Sequence, residues 1–192
     1  MSTLYYAGIG SRETPKKIQY LMRDIAFALA ELKWVLNSGG ANGADLAFQI
    51  GCEDYCKKNN ILYADRQQIF LPWNGFNDLK VRVGNGYIVY PKSTKAIDLI
   101  KELHPIPSSI LVKESLTALM SRNANQVLGI DLKTPIKMII CYSDKDIKFD
   151  ETGNVCDVGG GTGQAVRIAY KYHIPIFNLA IQAHLDRIQA WL

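Results

Sequence analysis

Apolar positions along this chain recur with two different periods, and the switching between them lays out alternating strands and helices. Leu4 to Ile9 is a short apolar run and reads as a first strand. Ile18, Leu21, Met22, Ile25, Leu29 and Leu32 then recur three and four apart, the spacing of a helix with one apolar face. Thr14 and Pro15 ahead of them form a start signal, Thr14 as N-cap and Pro15 at the first helical position. Trp34 to Leu36 follows as a second strand. Strand, helix and strand over roughly 35 residues make a right-handed βαβ unit with parallel strands.

The same reading continues down the chain. Ala44 to Lys58 is a helix with Leu46, Ala47, Ile50 and Tyr55 inward, and Ile69-Phe70-Leu71 is a strand stopped by Pro72. From Gly75 to Pro91 the pattern weakens: Gly84-Asn85-Gly86 is a turn, and Tyr87 to Tyr90 is a short edge strand or extended loop. Thr94 to Leu103 is a short helix, ended by His104-Pro105-Ile106-Pro107. Lys113 to Gly129 is a longer helix with Leu116, Leu119, Met120 and Val127 as its stripe, but Asn123 falls on that stripe. Ile136 to Cys141 is almost wholly apolar, as a strand buried on both faces should be.

A polar hairpin turning at Gly153-Asn154 comes next, then a helix with Ala165, Ile168, Ala169 and Tyr172 on one face. Ile176-Phe177-Asn178 is a fifth central strand, and Ile181 to Leu192 closes the chain as an amphipathic helix. The pattern predicts an α/β fold: a Rossmann-like, open, mainly parallel sheet with helices on both faces. It is read as one domain over 1–192 with an insertion around 73–110.

Composition narrows the class. The 192 residues are 48% hydrophobic and 21% charged, ordinary values for a globular protein, with a net charge of +4. That mild excess suits an anionic ligand, but Lys and Arg are spread along the chain and do not form the stripe of a DNA-coating protein. No signal-peptide pattern or membrane-length apolar run occurs, so a cytoplasmic protein without membrane contact is expected. The four cysteines, Cys52, Cys56, Cys141 and Cys156, are too scattered for a disulfide framework. Cys52 and Cys56 share a helical face as half of a metal site, but no second pair has matching spacing, and no metal or cofactor is expected. The acidic residues from Asp144 to Asp150 lack the layout of a calcium loop.

The chemistry sits at glycine-rich helix starts. After the second strand come Ser38, Gly39, Gly40, Ala41, Asn42, Gly43 and Ala44-Asp45. Glycine lets backbone approach an anion, while the first helical amides point at it with the positive end of the helix dipole behind them. The spacing matches neither the dinucleotide nor the P-loop fingerprint. Gly10, Ser11 and Arg12 end the first strand on the same sheet edge, and Arg12 offers a guanidinium fork for phosphate. A further run, Gly159, Gly160, Gly161, Thr162 and Gly163, opens the helix after the hairpin, again following a strand of the sheet, with Thr162 as hydroxyl donor or cap.

Other candidate roles depend on position. Asp45 either complements the helix dipole or binds a ribose hydroxyl. Trp73, after the third strand, is a candidate for stacking on a base. Asn123, a polar amide on a buried face, should brace a loop or reach the ligand, with Arg122 and Gln126 on its flanks.

Together the Gly8-to-Arg12, Ser38-to-Asp45 and Gly159-to-Gly163 motifs resemble the SLOG superfamily, which unites DprA (Smf) recombination mediators with LOG-type phosphoribohydrolases. The first two are closest to the DprA branch, with its G-S-R and S-G-G-A-x-G-x-D patterns. Arg122-Asn123, Gln126 to Gly129 and Ile174 to Asn178 are similar to a small DprA-like group common in phage genomes. The resemblance implies a Rossmann-like fold and a ligand that is a nucleotide, a nucleotide derivative or a nucleic-acid phosphate. LOG enzymes carry P-G-G-x-G-T-x-x-E with a catalytic glutamate. Here Ala165 stands at the glutamate and Asp157 at the proline, and Gln164 cannot act as acid or base. Full-length DprA proteins carry further domains around the core, for which this chain has no room.

Three functions follow as expectations. The first is binding of a nucleotide-derived small molecule by its phosphates. The second is DprA-like binding of single-stranded DNA. The third is nucleotide N-glycoside hydrolysis by another carboxylate, Glu13, Asp45 or Asp144. No catalytic residue is identified. A homodimer or higher homo-oligomer is compatible with the class, though no uncovered apolar stripe specifies one.

Overall fold

In a computed structural model, which describes residues 3–89 and 92–192, six parallel strands form the central sheet. They are β1 (Tyr5–Gly10), β2 (Val35–Ser38), β3 (Gln67–Leu71), β4 (Tyr87–Val89), β5 (Ile139–Tyr142) and, after a separate two-stranded hairpin of β6 (Lys148–Phe149) and β7 (Val155–Asp157), β8 (Ile176–Asn178). Their spatial order is β4-β3-β2-β1-β5-β8. The helices are α1 (Lys16–Glu31), α2 (Ala44–Asn59), α3 (Thr94–Leu103), α4 (Pro107–Val112), α5 (Glu114–Leu128), α6 (Gly163–Lys171) and α7 (Gln182–Gln189). The arrangement is the Rossmann-like α/β sheet expected, with strand order reversing direction between β1 and β5.

Neighbouring residues in the central strands enter different cores, as a period of two requires. Tyr6 packs with Met22, Ile25 and Leu29 of α1 and Phe48 of α2, whereas Ala7 and Ile9 pack with Val127 and Leu128 of α5 and Ile168 of α6. Ile140 belongs to the first cluster; Ile139 and Cys141 belong to the second. This two-sided burial explains why β5 shows no alternation in the sequence. Cys52, Cys56 and Cys141 are buried free thiols, and Cys156, also free, is half-buried.

Several local expectations differ from the structure. Thr14 does not cap α1: Pro15 is the cap residue, and the Thr14 hydroxyl donates back to the Ser11 carbonyl at 2.7 Å. Leu32 follows the last turn and is exposed. On α2 the inward face is rotated towards Ala44, Phe48 and Cys52, leaving Leu46 exposed and Ile50 and Tyr55 half-buried. The cause is Gly51, where an added Cβ would lie 2.1 Å from the Arg23 carbonyl oxygen, so α1 and α2 approach backbone to backbone.

Helix α4 is not legible in the sequence because its Pro107 reads equally as a helix stop and as the residue near the start that it is. The strand before the Gly159 run, β7, pairs only with β6 and is not part of the central sheet. Tyr172 lies beyond α6 and is exposed, and α7 stops at Gln189. β4 pairs in parallel with β3 as an edge strand; Tyr90 lies outside the described residues. No helix among the described residues is long and apolar enough to cross a membrane.

The Gly51 contact carries a prediction. Gly51→Ala should gain about 1 kcal/mol of helix propensity but force two backbones apart, for a net destabilisation of roughly 2 kcal/mol. Urea unfolding should show a lower midpoint at unchanged slope; a rise in stability would contradict the packing described.

Candidate functional site

The carboxyl ends of β1 and β5 border a cavity of about 300 Å³, at the place where open α/β sheets bind ligands. One wall is the β1 turn, Gly10 to Glu13, and the opposite wall is the Gly159–Thr162 loop that leads into α6. Ser143 and Lys145 line it from the β5 side. The face of α5 closes it with Leu119, Met120, Arg122, Asn123 and Gln126. Leu119 and Met120, expected in an apolar stripe, therefore face this space, while Thr117, Ser121 and Asn125 are among the α5 residues buried instead.

The glycine-rich stretches have different relations to the cavity. In the Gly159 loop, a Cβ added at Gly160 or Gly161 meets nothing within 4 Å. Gly160 has a φ of +75°, which favours glycine, but Gly161 has neither a left-handed backbone nor a crowded one. Its lack of a side chain leaves the backbone open. The amide N–H groups of Gly160, Gly161 and Thr162 have no acceptor among the described residues, and they precede α6, whose dipole adds positive potential. The Thr162 hydroxyl does not cap that helix, and its buried residue lines the cavity.

From the Ser38–Asp45 stretch only Ala41 and Asp45 reach the cavity. Ser38 is buried and donates to the Gly8 carbonyl at 2.7 Å. Gly43, at φ +80°, lets the turn approach the Ser11 carbonyl, and Gly40 backs onto Leu71 and Leu79. Gly39 and Asn42 lie outside the lining, as does Trp73, which stacks edge-on against Phe76 at 5.3 Å.

Asp45 is buried and engaged on several sides. Its carboxylate accepts from the amides of Gly10 (3.2 Å) and Ala41 (3.4 Å) and faces Arg122 Nη1 at 3.6 Å. Burial raises its pKa above the ordinary aspartate value, against the opposing pull of Arg122 and of the Ala41, Gly10 and Gly39 amides. Burial also lowers the pKa of Arg122, and the nearby Arg12 charge adds to that; an arginine remains protonated.

With its amide oriented to satisfy its neighbours, Gln126 accepts through oxygen from Arg122 Nη1 (2.9 Å) and Gly39 N (3.0 Å). Its nitrogen donates to Asn123 Oδ1 at 3.0 Å, and Asn123 Nδ2 donates to the Gly161 carbonyl at 3.0 Å. A buried polar chain thus runs from Asp45 through α5 to the Gly159 loop. The sequence marks Asn123 as a polar break in an apolar stripe that should brace a loop or reach the ligand, and Arg122 and Gln126 as its flanks; the pairing of Arg122 with Asp45 is not legible there.

Two guanidinium groups border the cavity. Arg122 is almost fully buried, and its Nε has no partner among the described residues. Arg12 is exposed and has no ionic or hydrogen-bonding partner for its guanidinium among them. Lys145 pairs with Glu13 at 2.8 Å across the rim, which lowers the Glu13 pKa and keeps it ionised near neutrality.

Glu13 and Asp45 are the carboxylates among the described lining residues, one held by Lys145 and the other by Arg122 and amides. Asp144 is not in the lining, and Ala165 is. Gln164 is turned away, donating to the Leu99 carbonyl and accepting from Arg167. Among the described residues no cluster of His, Cys, Asp and Glu could hold a metal ion.

Behind Ser143, the Asn178 side chain accepts from the Ser143 amide at 3.1 Å and donates to its carbonyl at 2.8 Å. His184 Nδ1 in turn accepts from the Asn178 amide at 3.0 Å, which requires neutral imidazole, and burial lowers its pKa. A depressed histidine pKa contributes stability fully above the unfolded value near 6.5, and that contribution is lost as pH falls through the lower folded value. Thermal melts between pH 7 and pH 5 should show a fall that His184→Gln reduces; an identical fall in both proteins would refute the assignment.

Fold and cavity together define a doubly wound α/β protein with an electropositive site at its switch point. Among solved structures, DNA processing protein A from Helicobacter pylori, described as binding single-stranded DNA, matches at TM-score 0.50 and 17% identity over 92% of this chain and 65% of its own. The chain thus spans 65% of the length of that protein. The Moco carrier protein of Chlamydomonas rheinhardtii matches at TM-score 0.50 and 12% identity over 97% of this chain and 82% of its own. Both likenesses concern the fold. No protein-family model matches the chain, and no curated protein matches it.

Proposed function

We propose that the protein binds the phosphate of a nucleotide or nucleotide-derived small molecule in this cavity, as a SLOG-type domain. The observation that carries the reading is convergence. The unsatisfied amides of Gly160, Gly161 and Thr162, the helix α6 dipole, the Arg12 fork and the Arg122 side chain all border one space. Gly160, Gly161 and Arg12 are exposed, so these donors stand open at the mouth of the cavity and carry no protein acceptor of their own among the described residues. An anion satisfies several at once.

Binding of single-stranded DNA is the second reading, favoured by the fold shared with the Helicobacter pylori protein. It lacks a stacking platform in the cavity, since Trp73 lies elsewhere. Hydrolysis of an N-glycosidic bond has weaker support, because both lining carboxylates are held in ion pairs.

A thermal-shift panel of nucleoside monophosphates, ADP-ribose, cyclic nucleotides and oligonucleotides separates these. One small nucleotide at a hundredfold excess over its Kd should stabilise by about 2.7 kcal/mol, an upward shift of roughly 5–10 °C. DNA binding would instead give an affinity falling steeply with salt and indifferent to base sequence. If neither class shifts the melt, the reading fails.

A further inference from the structure

We infer that the glycine-rich turn Ser38–Asp45 is a seat for the Arg122 guanidinium and that, beyond Ala41 and Asp45 at the cavity wall, its glycines act on a ligand only through that arginine. Three independent contacts define the seat. At Gly39 an added Cβ would fall 1.4 Å from Arg122 Nη1, the space the guanidinium occupies. The Gly39 backbone is not left-handed, so its conformation does not require glycine; the arginine does. Asp45, at the far end of the turn, supplies the countercharge 3.6 Å from the same Nη1. Gln126 oxygen bridges the two, accepting from both Arg122 Nη1 and the Gly39 amide.

These contacts all fall on Nη1 or on the turn backbone. Nε is enclosed, and Nη2, which has no partner among the described residues and is not enclosed with it, is the part of the fork left for an anion. The Gly39 amide, which a phosphate cradle would have to offer, is already used by Gln126. Gln126 is therefore a positioning residue: it bonds the guanidinium from one end and, through Asn123, holds the Gly161 carbonyl from the other. A shift of either loop is transmitted to the other through buried hydrogen bonds. The consequence for ligand binding rests on the anion reading above; the seat itself does not.

A double-mutant cycle tests the seat without any ligand. Gly39→Ala should lower the melting temperature by about 5 °C or more in the wild-type background, from overpacking against the arginine. In an Arg122→Ala background the same change should shift it by less than about 2 °C. Should Arg122→Ala fold poorly because Asp45 is left buried and unpaired, the cycle is run on Asp45→Asn/Arg122→Ala instead. Additive effects would overturn the seat.

Amide NMR with inorganic phosphate as the probe tests the remainder. Resonances of Gly160 and Gly161 should move on titration, and those of Gly40 and Gly43 should stay still in Arg122→Ala. Movement of the turn amides without the arginine would restore the turn as a direct cradle and refute the inference. If wild type shows no phosphate response, the functional reading and the ligand half of the inference both fail, while the cycle still decides the seat.

Discussion

Asp45→Ala should destabilise the protein by about 3–5 kcal/mol, because it leaves the Arg122 guanidinium buried beside an empty space. Two other losses add to this: the buried amide of Ala41 and the half-buried amide of Gly10 lose their acceptor. For a chain of this length the melting temperature should fall by roughly 10 °C. The magnitude separates two accounts of the residue. A carboxylate that only complements the α2 dipole contributes about 0.3–1 kcal/mol, so a loss under 1 kcal/mol would show that the pair with Arg122 does little. Removing both charges in Asp45→Ala/Arg122→Leu should recover part of the loss, since an apolar replacement of a buried pair is often neutral. Denaturant titration of the three variants checks both statements.

Arg12→Ala should weaken binding of the stabilising nucleotide by about 10- to 100-fold and leave the unliganded melt within about 1 °C. Arg12 is exposed and without an ionic partner among the described residues, so its loss breaks no internal contact. The expected loss equals one or two charge-assisted hydrogen bonds, about 1.5–3 kcal/mol. Isothermal titration at fixed ionic strength measures it, and Arg12→Lys should recover the charge but not the fork. Unchanged affinity in Arg12→Ala would remove the arginine from the site and with it the clamp role proposed for this turn.

The two variants also test a division of labour. Arg122 is a structural cation whose absence exposes a buried acid, whereas Arg12 is a peripheral one whose absence the fold does not register. If Arg12→Ala destabilised the apo protein as much as Asp45→Ala, the cavity would be an internal network and not a ligand site.

Much of this architecture can be read from residue order. A period near 3.6 in Ile18 to Leu29 and the unbroken run Ile136 to Cys141 are local signals, and they identify a parallel sheet covered on both faces. The three glycine stretches likewise announce sharp turns at strand ends and helix starts. Failures of local reading are small: Pro107 acting as a starter is a local ambiguity, whereas the turned face of α2 goes with a tertiary contact of Gly51 against Arg23 of α1.

Tertiary structure decided what lies beside each glycine stretch. Ser38 to Asp45 and Gly159 to Gly163 look alike in sequence, both rich in glycine and both opening a helix. Only the fold shows that the space beside Gly39 is filled by Arg122 and that the space beside Gly161 is empty. Asp45 and Arg122 are 77 positions apart (122 − 45), and no periodic pattern encodes that meeting. Hydrophobic period is set by each element's own geometry, so the sequence determines the elements by itself. The partner of a buried charge depends on which element lies opposite, and that is settled only when the sheet is assembled and α5 is laid across its edge.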